Sequence, residues 1–390
     1  MNTATGATDE TPVRVRRRVT APPRGGCNVR AAVTGCPPRH KPHRKTARAV
    51  VWMVVVLAGL EAAVRVRAAA RYGWHTALAD WTVRTDDGAV RPGVTRLPGG
   101  QRTTINRWGL RGHDIALHKP PGVFRILCLG ESTTFGQPGD DDAVIWPARL
   151  QRRLRDAGHR VEVINGASPG WTVARSMQAL DRLMRFSPDV VIIYHGATDL
   201  AAHCKRQFAN AKAADGAGAT LARWRDRLSM GYMLLRRNTA GWLATQYQRH
   251  RNHRLDARGI NRFATQLEQL VRACRAGGAG VLLCSFPRAF GRSQPAGEQA
   301  QWAETALFFN PQLDVAGLSD AYARYNAAIR GVARRTGVRL IDLDRMIDVG
   351  GESFVDSVHL SASGHDQVAA RIVPAVDEWI RSRALAGVIQ

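Results

Sequence analysis

From residue 124 onward, short continuous apolar runs alternate with longer stretches in which apolar residues recur every three or four positions. The runs are residues 124–129 (FRILCL), 161–164, 190–194 (VVIIY), 281–286 and 338–343. Runs of this length, bounded by Gly, Pro, Asp and Asn, read as buried strands. Residues 144–157, 173–186, 262–276, 320–335 and 361–384 carry helical spacing; in the first of these, Leu150 and Leu154 stand one turn apart. A buried strand that is apolar throughout fits a sheet covered on both faces, and regular strand–helix alternation predicts parallel strands with right-handed crossovers. The fold expected over residues 122–386 is therefore α/β, a five-stranded parallel sheet covered on both faces.

One segment breaks the alternation. Residues 200–259 are rich in Arg, Ala and Gln, with aromatic residues in 224–235 and 242–247, and read as a helical excursion over the sheet's edge. Before the α/β region, residues 67–121 form an irregular lead-in with short extended pieces. Further upstream, residues 49–64 read AVVWMVVVLAGLEAAV, with one acidic residue. A spanning helix needs about 20 apolar residues, within a range of roughly 17–25. Arg48 and Arg65 can snorkel to extend the run, and Glu61 lies one turn from Arg65, where pairing lessens its cost. The pattern predicts a membrane signal-anchor over residues 49–66, against a surface or core helix as the alternative. The basic flank predicts that the part of the chain following the run is extracytoplasmic.

Charge sharpens this picture. The chain carries a formal net charge of +24. Residues 1–48 hold eleven Lys or Arg against Asp9 and Glu10, with few large apolar residues, a composition that predicts a disordered tail. No helix-turn-helix, zinc-finger or RNA-binding pattern accompanies the basic charge, so no specific nucleic-acid partner is expected. The six cysteines, at 27, 36, 128, 204, 274 and 284, show no CxxC spacing, and neither a metal nor any other cofactor is expected.

Chemistry-bearing residues gather where open α/β sheets place function, at the carboxyl ends of strands. Gly130-Glu131-Ser132-Thr133-Thr134-Phe135-Gly136 follows the first strand, and a serine in such a turn presents its hydroxyl beside free backbone N–H groups. Asn165 to Thr172 follows the second strand and contains Gly166 and Gly170, where the backbone can approach a ligand. Gly196-Ala197-Thr198-Asp199 follows the third. Asp356-Ser357-Val358-His359 precedes the last helix and offers a base with a carboxylate three residues before it. Singly, each has a plainer reading as a helix cap, a turn glycine or a capping aspartate. His195 and His365 read as packed histidines.

Together and in this order, the four segments resemble the blocks of the SGNH/GDSL hydrolase superfamily, and residues 106–112 (NRWGLRG) resemble a lead-in found in membrane-anchored bacterial members. The resemblance implies a flavodoxin-like, three-layer α/β/α fold, a Ser132–His359–Asp356 triad, and Asp199 as a support for the active-site turn. It also implies an oxyanion hole from the N–H groups of Ser132 and Gly170 with the side chain at position 198. Two positions depart from the pattern. Glu131 stands where many members have Asp, and Thr198 stands where the third block has an Asn that donates to the oxyanion. The shorter hydroxyl leaves slow turnover, shifted donor geometry and inactivity open. The implied activity is a serine esterase acting on an acylated glycan or other small ester. Alternatives are a carbohydrate O-acetyltransferase with the same triad and a catalytically impaired glycan-binding or assembly domain. Oligomeric state is left open.

Overall fold

The computed structural model describes residues 44–72, 93–96, 102–137, 140–209, 254–291 and 293–385. The basic tail before residue 44 and the aromatic stretches of the insertion, within 210–253, lie outside the described residues. The chain divides into two units, residues 1–53 and 54–390. Helix α1 (Arg44–Tyr72) runs past both ends of the apolar stretch, whose residues from Val50 to Leu57 are exposed. Among the described residues no helix is long and apolar enough to cross a membrane. The expected spanning anchor is thus not supported: the apolar run is interrupted by Glu61 and closed by Arg48 and Arg65 before it reaches spanning length.

Within the lead-in, β1 (Gly93–Arg96) and β2 (Arg102–Ile105) pair as an antiparallel ribbon. The five apolar runs form the main sheet, and β3 (Phe124–Gly130) is buried along its whole length. After it come α2 (Ser132–Phe135), α3 (Trp146–Asp156), β4 (Val161–Asn165), α4 (Val173–Met184), β5 (Val190–Tyr194) and α5 (Ala197–Ala209). The second half contains α6 (Ala257–Ala276), β6 (Gly280–Cys284), α7 (Ala296–Phe309), α8 (Val315–Thr336), β7 (Arg339–Ile341), α9 (Leu343–Met346) and α10 (Ala362–Leu385). Helix α7 was not legible in the sequence. Its apolar residues do not gather on one stripe, and only Ala303, Ala306 and Leu307 are buried.

All neighbouring strands of the sheet are parallel, in the order β4-β3-β5-β6-β7. This is the flavodoxin-like order, in which the chain leaves β3 toward one edge, returns past it to β5, and then continues outward. Helix α3 packs with α10, while α4, α6 and α8 pack successively against one another. Helix ends are set by local chemistry. Asp256 and Asp314 cap α6 and α8 by accepting from Gly259 N (2.8 Å) and Gly317 N (2.6 Å), and α8 stops at Gly337, with φ 66°.

The reversal of strand order lies between β3 and β5, where connections leave the sheet on opposite faces and open a crevice at the strand ends. Ser132 follows β3 and Thr198 follows β5. The topology therefore brings these two turns to one place.

Candidate active site

The turn after β3 is built by close approach and held from behind. A Cβ at Gly130 would lie 2.7 Å from the Tyr194 carbonyl oxygen, so a side chain does not fit where the turn crosses β5. Glu131 continues in extended backbone (φ −113°, ψ −154°), and the next residue, Ser132, opens α2. Behind it, Asn165 Nδ2 donates to the Thr134 carbonyl (3.0 Å). The buried Arg111 guanidinium donates to the carbonyls of Phe135 (3.0 Å), Gln137 (3.3 Å) and Asp140 (2.5 Å) and pairs with Asp142 (3.0 Å). Arg111 belongs to the NRWGLRG segment, and its backbone also bridges to Ile105 and Asn165. The sequence marked this segment only as a lead-in; here it braces the serine turn. Full burial, rare for an arginine without partners, is what identifies its structural role, and burial is not written in the local sequence.

The Asp356 and His359 loop is folded on itself. Asp356 Oδ1 accepts from the amides of Val358 and His359, both at 2.9 Å, and Oδ2 lies 2.8 Å from His359 Nδ1. An ionised carboxylate can only accept, so Nδ1 carries the proton and Nε2 is left with its lone pair. That Nε2 lies 2.9 Å from Ser132 Oγ. Burial works against the charge of Asp356, but the His359 ring, the imidazolium charge and the two amides outweigh it, and the carboxyl is held below its usual range. Burial likewise opposes the His359 imidazolium. The Asp356 hydrogen bond and charge, then the charges of Glu131 and Asp140, outweigh that penalty and raise its pKa.

Gly170 sits in the turn Ser168-Pro169-Gly170-Trp171, closed by Trp171 N donating to the Ser168 carbonyl (3.1 Å). Pro169 at the second position and Gly170 at the third, with φ 72°, are what a type II turn requires. The turn bond uses the amide of Trp171, so the Gly170 N–H lies outside it, at an exposed position.

Thr198 is placed differently from the sequence expectation. Its hydroxyl donates to Glu131 Oε2, and its amide donates to the same oxygen at 2.6 Å. Glu131 Oε1 accepts from the amides of Gly196 and Ala197, both at 2.9 Å. Burial pushes the Glu131 carboxyl above its usual range, and these four donors hold back part of that rise. A threonine hydroxyl has one proton to give, and here the carboxylate takes it. The expected third oxyanion donor is therefore committed elsewhere. The reason is reach: glutamate is one methylene longer than aspartate and extends from the serine turn onto the first turn of α5.

The remaining candidates are packed. His195 is buried, with Nε2 2.8 Å from Ser176 Oγ, and burial pushes its pKa down to about 3, so it stays neutral. His365 is buried with Nδ1 accepting from the Trp146 amide (3.2 Å), which ties α10 to α3. Asp199 accepts the Val173 amide at 3.1 and 3.2 Å and anchors the start of α4. Among the described residues no group of His, Cys, Asp and Glu is arranged to hold a metal ion.

The model of the GDSL-like lipase/acylhydrolase family matches residues 128–367. No curated protein matches the chain significantly. Among solved structures, TesA is 17% identical, with 64% of this chain and 96% of that chain covered and a TM-score of 0.39. A lipase/acylhydrolase from Enterococcus faecalis is 17% identical (65% and 95% covered, TM-score 0.41). The acetylxylan esterase Axe2 from Geobacillus stearothermophilus is 15% identical (64% and 93% covered, TM-score 0.41).

Proposed function

Since this chain belongs to the GDSL-like lipase/acylhydrolase family, and is thus a serine ester hydrolase, we propose that it cleaves esters through an acyl-enzyme on Ser132. His359 Nε2 takes the serine proton as Oγ attacks the ester carbonyl carbon. The negative charge that develops on the carbonyl oxygen is met by the N–H groups of Ser132 and Gly170. The tetrahedral adduct collapses, the C–O bond to the alcohol breaks, and His359 returns the proton to the leaving oxygen. Water then repeats the cycle on the acyl-enzyme, with His359 as base, and releases the acid. Asp356 fixes the imidazole tautomer and stabilises the imidazolium. The observation that carries this reading is the unbroken relay from Asp356 Oδ2 to His359 (2.8 Å) and on to Ser132 Oγ (2.9 Å).

Hydrolysis of p-nitrophenyl acetate by the full chain tests it. Ser132→Ala is expected to lose about three orders of magnitude or more in kcat/KM, and a fluorophosphonate is expected to label the wild type at Ser132 alone. Retained activity in Ser132→Ala, or labelling elsewhere, overturns the assignment.

The substrate is proposed to be an acylated glycan or other small ester, met outside the cytoplasm. That location rests on the charge pattern, a basic segment preceding the apolar residues 49–64. A phosphatase reporter fused to the C-terminus, active only outside the cytoplasm, checks it; an inactive, intact fusion places the enzyme inside.

A further inference from the structure

Two positions depart from the superfamily pattern, Glu131 and Thr198, and they are bonded to each other. Glu131 is buried directly before the nucleophile, and its two oxygens accept four donors from the turn after β5: three amides and one hydroxyl. Four donors on one carboxyl favour the ionised form against the burial that opposes it, because each lone pair in use accepts. The amides are those that open α5, thirteen residues long, where the helix dipole favours a negative charge. Glu131 is thus a side-chain cap supplied across the crevice, and it joins the turn carrying Ser132 to the turn that closes the other side of the site.

We propose that Glu131 and Thr198 act as one positioning unit for the reaction, a carboxylate clamp whose ionised group fixes the serine turn that holds Ser132 Oγ 2.9 Å from His359 Nε2, leaving the oxyanion to two backbone donors. This rests on Ser132 being the nucleophile. Glu131 does not touch the reacting atoms; it acts through the Ser132 backbone, its covalent neighbour, and through its charge. The charged groups acting on His359 are Asp356, Glu131 and Asp140, and only Glu131 is part of the serine turn's own backbone connection. Thr198 holds Glu131 in place and takes no part in binding the oxyanion.

Glu131→Gln, Thr198→Val, Thr198→Ser and the double variant Glu131→Gln/Thr198→Val test the proposal in the full chain. The readouts are the pH profile of p-nitrophenyl acetate hydrolysis and the thermal midpoint. Glu131→Gln keeps the shape of the side chain and removes its charge. It is expected to move the acid limb of kcat/KM down by about half a pH unit or more and to lower plateau kcat about tenfold with KM nearly unchanged. Thr198→Val is expected to lower kcat on its own but to add little once Glu131→Gln is in place, and Thr198→Ser, which keeps the hydroxyl, to behave as wild type. An oxyanion role for Thr198 predicts instead a loss of about a hundredfold with either residue at 131, so that the two effects multiply.

Multiplying effects, or an acid limb that stays in place in a folded Glu131→Gln enzyme, overturn the clamp. The nucleophile assignment is judged separately, by Ser132→Ala and fluorophosphonate labelling. A dead Ser132→Ala enzyme with multiplying effects refutes the clamp alone, whereas an active one refutes the reading beneath it.

Discussion

At the scale of single residues, the site is a set of protons with assigned places. In the proposed reaction His359 must be neutral to accept from Ser132, and its pKa is raised above the ordinary 6.5. Activity is therefore lost as pH falls through that raised value, and the acid limb of kcat/KM is expected above 6.5, as a pH profile of ester hydrolysis will read. An acid limb below the ordinary histidine value would show that the carboxylates around the ring do not control it. Asp356→Asn keeps the shape but reverses the donor and acceptor facing Nδ1, which favours the wrong tautomer. A loss of about two to four orders of magnitude in kcat is expected, with the fold intact by circular dichroism.

Elements add constraints that no single residue supplies. The lead-in before β3 carries no helix in residues 102–123, yet it delivers Arg111 to three carbonyls around the serine turn. Gly136, with φ 93°, runs against that guanidinium, and a side chain there would occupy its space. Arg111→Met would fill the volume while removing the guanidinium from those carbonyls and the ion pair from Asp142, leaving only the weaker neutral donors Thr103 Oγ1 on Asp140 O, Asn165 Nδ2 on Phe135 O and the Thr104 amide on Asp142. It is expected to cost about 2–4 kcal/mol of stability, read by denaturant unfolding, and to lower kcat as the turn loosens. A stability change within about 0.5 kcal/mol would show that water replaces the guanidinium. Helix α5 shows the same logic from the other side. Its first amides are capped by Glu131 from a distant strand end, so the start of one element is fixed by the turn of another.

For the molecule as a whole, the layers must close tightly before the site exists. Gly280 opens β6 against the Trp379 ring of α10, in space where no Cβ fits. Gly280→Val is expected to cost about 3 kcal/mol or more through overpacking, seen as a lower thermal midpoint, while the folded fraction keeps its kcat because the site lies at the other ends of the strands. The fold was legible in the sequence because strands buried on both faces are predominantly apolar and the helices beside them are mostly periodic, signals that survive without any knowledge of neighbours. The candidates Ser132, Gly170, Thr198, Asp356 and His359 could be singled out for a similar reason: each sits in a short local motif after a strand or before a helix. What sequence alone could not decide was contact between motifs. Thr198 looked like an oxyanion donor by position, and Glu131 looked like a conservative exchange for aspartate. Only the packing of β3 beside β5 shows the longer carboxylate reaching the hydroxyl. Arg111 was likewise one basic residue among many until the chain folded it beneath the serine turn. Hydrophobic period and local motif are properties of neighbours in the chain, whereas the partner that takes a given proton is a property of neighbours in space.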